Sequence, residues 1–371
     1  MTETGRAIEP EGTTGARQLR QGVISTVVLA VLAAGVLMAV PGLSNVSHRL
    51  SDIDGGWIVL AIVLELLSCL GYVLAFQLVF HRAPLRFAAR VAWSQLAFGA
   101  VVPAGGAGGA AVGAWIFHAK GFPLTRIAER TAVLFLLTSA VNVIVLGLTG
   151  LAALAGLLEA PEALWLSLLP AALGLGAIVG FAALARLIPR LVARERIAQR
   201  PRVAAGLLGL ARSVRTTEQL MARPSLGLLG AFGYLGFDIA LLWVGFRAVG
   251  YSPPIGGLIL GYQIGYLSTL IPIPGGIGVL DGGLIAALAL YGIPATFAAP
   301  AVLLYHAAWL AVPTILGSIA FVLVRRNLDE PLTLRGGDRP VPRPQNDRNA
   351  SVGGASVSGD GGNRTRVRDR A

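Results

Sequence analysis

The sequence predicts an all-α, polytopic integral membrane protein in which a unit of span, re-entrant hairpin and span occurs twice, the second copy inverted across the membrane. Three observations carry that expectation. The 371-residue chain is 55% hydrophobic and only 13% charged, with a mean hydropathy of +0.71, a composition outside the range of ordinary soluble domains. Apolar runs of roughly 20 residues, the length that crosses a hydrocarbon core, recur from Val23 to Val324. Two further apolar segments are broken by glycine and proline at matching positions.

The N-terminal stretch carries Glu3, Glu9 and Glu11 among its arginines, which makes 1–22 a polar cytoplasmic tail rather than a signal peptide, and 23–41 a retained helix. Full spans follow near 57–80, 129–157, 162–185, 226–249 and 297–324, six in all with the first. The broken segments are 91–119 and 254–292. Arg82, Arg86 and Arg90 precede the first of them, and Lys120, Arg126 and Arg130 follow it. Basic loops stay cytoplasmic, so 91–119 is expected to enter and leave on the same side.

The remaining loops agree with that orientation. Asp52 and Asp54 oppose Arg49 in 41–56, while Glu159 and Glu162 sit without a base in 158–162, so both loops face outward. The segment 186–223 holds Arg186, Arg190, Arg194, Arg196, Arg200, Arg202, Arg212, Arg215 and Arg223 against Glu195 and Glu218, and is cytoplasmic. Val203, Leu207, Leu210, Val214 and Met221 recur there at helical spacing, the pattern of an amphipathic helix on an anionic leaflet or of an ordinary basic loop. The second broken segment then enters from outside, and Arg325 and Arg326 close the last span inside. The transmembrane domain is thus 23–325, with repeat 1 about 57–157 and repeat 2 about 226–324. Residues 326–371, rich in Gly, Pro, Asn, Arg and Ser, read as a disordered cytoplasmic tail, where the N-x-[ST] matches at Asn349 and Asn363 carry no weight. Both termini face the cytoplasm and the expected location is the plasma membrane.

The repeat is explicit when "VVPAGGAGGAAVGAWIFHAKGFPLT" from Val101 is laid over "PIPGGIGVLDGGLIAALALYGIPAT" from Pro272. Pro103 meets Pro274, Gly105 meets Gly276, Gly121 meets Gly292, Pro123 meets Pro294 and Thr125 meets Thr296. Interrupted helices at corresponding positions of two inverted halves point to a binding site near the midplane. Broken backbone at membrane depth is tolerated only where it is buried in protein or lines a cavity. Freed amides at half-helix N-termini favour an anionic group there.

The stretch "PIPGGIGVLDGG" resembles the P-x-P-G-G-x-G pattern, followed by an acidic residue, of the lysylphosphatidylglycerol synthase transmembrane-region family, a UPF0104-type group of flippase-like membrane proteins. "AERTAVLFL", Ala128 to Leu136, is similar to the family's Glu-Arg pair after the first hairpin, although Thr131, Ala132 and Val133 stand where an Asp often follows. "LLYHAAWLAVPTILG" resembles a segment that commonly carries Arg where this chain has His306. The similarity covers about 20–325. In the synthases this region precedes a soluble aminoacyl-transfer domain. The resemblance implies movement of charged phospholipid between leaflets, and the short tail here argues against synthase activity by this chain alone.

Glu65, Arg130, Asp238, Asp281 and His306 lie in or beside apolar segments, where an unpaired charge costs several kcal/mol, so each is a functional candidate. The expected substrate pocket is shaped by Pro103, Gly105, Gly106, Pro272, Pro274, Gly275, Gly276 and Gly278, with Glu129, Arg130, Asp281 and His306 binding substrate. Asp281 is expected to pair with Arg130 or to hold a proton or a cationic head group. Arg130 suits phosphate through its bidentate guanidinium. Glu65 and Asp238 are in mid-span, either paired with each other or acting as a proton relay. His118, Tyr305 and His306 are further polar groups for a cavity, whereas His48 and His81 fall in loops.

The single cysteine, Cys69, excludes an internal disulfide and Cys-based metal clusters. No histidine pair has metal-ligand spacing, and no Walker-A or catalytic-triad motif occurs, so no metal, no cofactor and no enzyme activity are expected. The net charge of +11 comes almost wholly from arginines that border spans, which points to membrane lipids rather than nucleic acid as partner. The leading function is translocation of an anionic or amphiphilic lipid. The alternatives are a proton-coupled carrier of a small polar solute, a membrane-embedded transferase, and a scaffold binding a separate synthase or envelope enzyme through the arginine-rich loop.

Overall fold

The computed structural model describes residues 53–101, 107–159, 163–193, 199–266 and 279–328. The expected first span at 23–41, the tail, and the pocket residues Pro103, Gly105, Gly106, Pro272, Pro274, Gly275, Gly276 and Gly278 lie outside them. The described residues form ten helices and no strand: α1 (Gly55–Val79), α2 (Leu85–Val101), α3 (Ala107–Ala119), α4 (Leu124–Leu154), α5 (Trp165–Val192), α6 (Pro201–Met221), α7 (Leu226–Ala248), α8 (Ile255–Tyr266), α9 (Val279–Leu290) and α10 (Ala295–Arg326).

Five of these, α1, α4, α5, α7 and α10, are long and apolar enough to cross a membrane, and they coincide with the five expected spans that fall in the described residues. The protein is a multi-pass, all-helical membrane protein. Two boundaries move. The span expected from 129 begins at Leu124, because Pro123, with φ −67° and ψ 137°, caps the helix directly after the turn at Gly121. Glu129 and Arg130 therefore sit in its second turn and not at its start. Arg186 and Arg190, expected in the loop, ride on the end of α5, which continues to Val192 through Pro189.

The helices of the broken segments are short. α8 and α9 have 12 residues each, about 18 Å at about 1.5 Å per residue, against a hydrocarbon core of about 30 Å. A Cβ added at Gly257 would meet Tyr291, at Gly261 Leu288 and at Gly265 Leu284. One number rises as the other falls, so the two arms run antiparallel, zipped along a stripe of glycines four residues apart. α2 and α3 pack likewise, with Gly109 and Gly113 against Gln95.

α1 and α7 form the most extensive contact. Gly71 abuts Gly230 and Tyr234, Gly227 abuts Leu74 and Leu78, and the Ser68 hydroxyl donates to the Tyr234 carbonyl at 3.0 Å. These two helices, equated by the sequence repeat, are antiparallel. The turns after α3 and α9 also match. Gly121 (φ 86°) and Gly292 (φ 79°) take the left-handed conformation, and the next amide reaches back five residues, Phe122 to Phe117 O and Ile293 to Leu288 O, both at 3.1 Å. That is the Schellman closure of a helix, followed each time by a proline cap at Pro123 or Pro294.

α6 realises the amphipathic helix foreseen in the basic loop, but its apolar side is in part a protein contact. Ala211, Val214 and Thr217 are buried where α6 packs on α4 and α5, and the Arg215 guanidinium donates to the Ala185 carbonyl at 3.2 Å. Val203 and Leu210 stay exposed.

Candidate functional site

Polar side chains gather inside the helical bundle where α1, α7, α8 and α10 meet. Asp238 on α7 is 6% exposed. Its Oδ2 accepts hydrogen bonds from the hydroxyls of Tyr262 on α8 and Tyr305 on α10, the latter at 3.0 Å. Glu65 on α1 is 2% exposed and interacts electrostatically with Asp238. Its Oε1 accepts from the Cys69 thiol at 3.3 Å. Glu65 Oε2 and Asp238 Oδ1 are buried without a hydrogen-bond partner among the described residues. Such an oxygen ordinarily costs about 1–3 kcal/mol, so two in one place make this pair a candidate site.

Aromatic rings wall this pair. Tyr72 lies 5.4 Å from Tyr234, and Tyr262 stands edge-on to Tyr305 at 6.3 Å. Tyr72 donates to Gln95 Oε1 on α2 at 2.8 Å, and Gln263 Nε2 donates to the Asn142 carbonyl on α4 at 3.2 Å. The first broken segment thus reaches the network through Gln95 and the second through Tyr262, while Gln263 ties α8 to α4.

A second cluster joins α9 to α10. His306 Nδ1 and Asp281 Oδ1 are 2.8 Å apart, with both side chains mostly buried, and Trp309 stacks edge-on to the imidazole. Asp281 lies in the first turn of α9, where the helix N-terminus favours its negative charge. The carboxyl thus meets this histidine, while the Arg130 guanidinium is bound to the Val79 carbonyl.

Arg130 is elsewhere. It donates to the Val79 carbonyl at 3.1 Å and lines a cavity of about 150 Å³ formed by the end of α1, the α1–α2 loop, Phe117 and Phe122 at the end of α3, and the start of α4. Arg82, Arg126 and His81 line it as well. Glu129, its neighbour in sequence, is held at 3.0 Å by Arg212 of α6 in an exposed pair, a type worth little by itself. His118 at the end of α3 is exposed, its Nδ1 3.4 Å from Phe122 O, and stands apart from both buried clusters.

The structure therefore joins Glu65 with Asp238, and Asp281 with His306, while separating Arg130 from both. Sequence reasoning missed Tyr262, Tyr72, Gln95 and Gln263 as partners. For Tyr262 and Gln263 a signal was present: "GYQIGY", Gly261 to Tyr266, sets three polar side chains into an apolar segment. It missed the arginine cavity because Arg82 and Arg126 are distant in sequence and each is explained by a basic loop.

Comparison with known proteins agrees with this architecture. The family model described as "Lysylphosphatidylglycerol synthase TM region" matches residues 24–317, well over half of the chain. A UPF0104 membrane protein of Methanothermobacter thermautotrophicus is 37% identical over 98 residues, 26% of this chain and 28% of the relative. A UPF0104 membrane protein of Methanocaldococcus jannaschii is 34% identical over 95 residues, 25% of this chain and 28% of the relative. The chain thus matches less than a third of the length of either curated relative.

Proposed function

Because the chain belongs to the lysylphosphatidylglycerol synthase TM region family, we propose that it moves an anionic or amphiphilic phospholipid between the leaflets of the membrane. The carrying observation is the Asp281–His306 pair, a largely buried contact of 2.8 Å in the first turn of the short helix α9, which follows the Pro- and Gly-rich stretch of the sequence. Charge at membrane depth is kept where it meets substrate or ion. The antiparallel arms of α8 and α9, and the antiparallel α1 and α7, support a re-entrant, inverted arrangement that would put this pair beside a midplane pocket. In this reading the protein lies in the plasma membrane, with both termini and the basic segment around α6 in the cytoplasm.

Reconstitution tests it. Vesicles holding the full-length protein are given a headgroup-labelled phosphatidylglycerol, and loss of signal to a membrane-impermeant quencher reports translocation. Asp281→Asn and His306→Gln are expected to slow it at least several-fold, with no further loss in the double variant. Wild-type vesicles that translocate no faster than empty ones would sink the proposal.

A second reading is favoured by one observation. Glu65 and Asp238, each with an unpartnered oxygen, have the arrangement of a proton-carrying pair, which suits proton-coupled movement of a small polar solute. Uptake of soluble solutes under an imposed pH gradient, without any lipid movement, would select it.

A further inference from the structure

One apolar stripe runs the length of α6, and the protein covers only half of it. Val203, Leu207, Leu210, Val214, Thr217 and Met221 recur at intervals of three or four residues, which puts them on one face of the helix. In the C-terminal half Val214 and Thr217 are fully buried, with Ala211 and Ser213 beside them, where α6 packs on α4 and α5. In the N-terminal half Val203 and Leu210 are exposed, and Gly206 and Gly209 have open space at their Cβ positions. The face that is buried in protein at one end has therefore left the bundle at the other.

It leaves the bundle at the edge of the membrane. α6 is tied to α4 by the Arg212–Glu129 pair at 3.0 Å and to α5 by the Arg215 guanidinium, which donates to the Ala185 carbonyl at 3.2 Å. Glu129 lies in the second turn of α4 and Ala185 about two turns before the end of α5, so α6 crosses both spanning helices at the same end. There α5 exposes Leu184, Leu187 and Leu191 interleaved with Arg186 and Arg190, the mixture of a helix passing from hydrocarbon into head groups. Arg200 and Arg223, at the two ends of α6, are exposed as well, and the segment 186–223 carries nine arginines against Glu195 and Glu218. The cover that fits the open stripe is apolar in depth and anionic at its surface. A leaflet containing acidic phospholipid has both properties, with acyl chains for Val203, Leu207 and Leu210 and phosphates for the guanidiniums.

We propose that residues 201–210 of α6 form an interfacial anchor that lies in the adjoining leaflet and binds its anionic phospholipid head groups. The apolar side enters the acyl boundary, and the arginines that flank it, Arg190 and Arg200 first, hold the phosphates. The leaflet already surrounds the ends of α4 and α5, so docking needs no second macromolecule. The anchor does not rest on the transport reading, since it holds whichever way the chain faces and whatever it moves.

The test uses the full-length protein with Cys69→Ala, in nanodiscs of phosphatidylcholine alone or mixed with phosphatidylglycerol. Val203→Cys, Leu210→Cys and, on the polar side of α6, Gln219→Cys each carry an environment-sensitive fluorophore. All three positions are exposed, so labelling leaves the packing of α6 in place. With phosphatidylglycerol present, the probes at 203 and 210 are expected to shift to the blue and to be quenched by a spin label on the lipid chains several-fold more than in phosphatidylcholine alone. The probe at 219 should stay open to aqueous acrylamide. In a titration of phosphatidylglycerol content, Arg190→Gln and Arg200→Gln are each expected to weaken the apparent affinity about fivefold, the share of one basic residue near an anionic surface. Added salt should weaken it too. Both arginines are exposed, so unchanged thermal midpoints are expected and would show that the variants remain folded. Equal quenching in the two lipids, or quenching that the arginine variants and salt leave unchanged, overturns the proposal. Protection of 203 and 210 that appears only when two copies share a nanodisc identifies a second copy as the cover and overturns it as well.

Discussion

Gly71 and Gly230 press backbone to backbone: a Cβ on Gly71 would lie 2.6 Å from the Gly230 carbonyl oxygen, and one on Gly230 2.7 Å from that of Gly71. The contact is reciprocal and involves atoms that cannot swing away, so α1 and α7 are locked at their crossing by the absence of side chains. Glu65 and Asp238 sit on these same two helices, and their separation is set by this crossing.

Gly71→Ala and Gly230→Ala are each expected to destabilise the protein by about 1–3 kcal/mol, the cost of overpacking a rigid contact. The two residues occupy one contact, so the double variant should lose less than the sum. Denaturant titration in mixed micelles measures all three. Additive losses would show that the crossing does not depend on their mutual approach.

Gly121 and Gly292 close equivalent turns in left-handed backbone. Alanine at either is expected to cost about 1–2 kcal/mol, while Gly282, which has open space around its Cβ position and no positive φ, should tolerate alanine within roughly 0.5 kcal/mol. The comparison is made by thermal unfolding in a single detergent. Equal effects at all three positions would remove the conformational explanation.

For the carboxyl pair, Glu65→Gln replaces a buried carboxyl that no cation contacts among the described residues. Its thermal midpoint is expected to match or exceed that of the wild type. Asp238→Leu differs, because it leaves the hydroxyls of Tyr262 and Tyr305 without their acceptor, at about 1–3 kcal/mol each. A large loss in Glu65→Gln would mean that Glu65 is structural and would count against its role in proton transfer.

Burial first, then the guanidiniums of Arg130 and Arg82, hold the imidazole of His81 below its ordinary value of 6.5, against hydrogen bonds with the backbone at Leu78 and Val79. The unfolded chain therefore binds more protons near that value than the folded one, and stability declines as pH falls through 6.5 and below. His81→Gln is expected to flatten this decline, read as the thermal midpoint between about pH 7.5 and about pH 5.5. An unchanged slope in the variant would show that His81 does not carry it.

Much of the fold was legible because hydropathy is a local property. The span beginning at Leu226 was placed to within a residue, since an 18-residue stretch of mean hydropathy 1.6 lies there, and in the structure Ser225 caps it by accepting a hydrogen bond from Leu228 N. The start of α4 was missed because Arg126, Glu129 and Arg130 weigh against a span, although Pro123 fixes the helix five residues before the expected start. Of the candidate site, Asp281 and His306 were each singled out through the motifs around them. Their partnership was not, because Arg130 offered a stronger charge and nothing in a linear sequence says which side of the bundle it occupies.

The sequence by itself determined that this chain is a bundle of apolar helices, since partition between water and lipid acts residue by residue along a segment. Which polar groups meet inside the bundle was decided only by tertiary structure. Glycine contacts such as Gly71–Gly230 set how closely and at what angle helices cross, and that angle joins Asp238 to Tyr262 and Tyr305 while carrying Arg130 away to Arg82 and Arg126. Helix crossing depends on side chains far apart in the chain, and no periodicity in one helix encodes it.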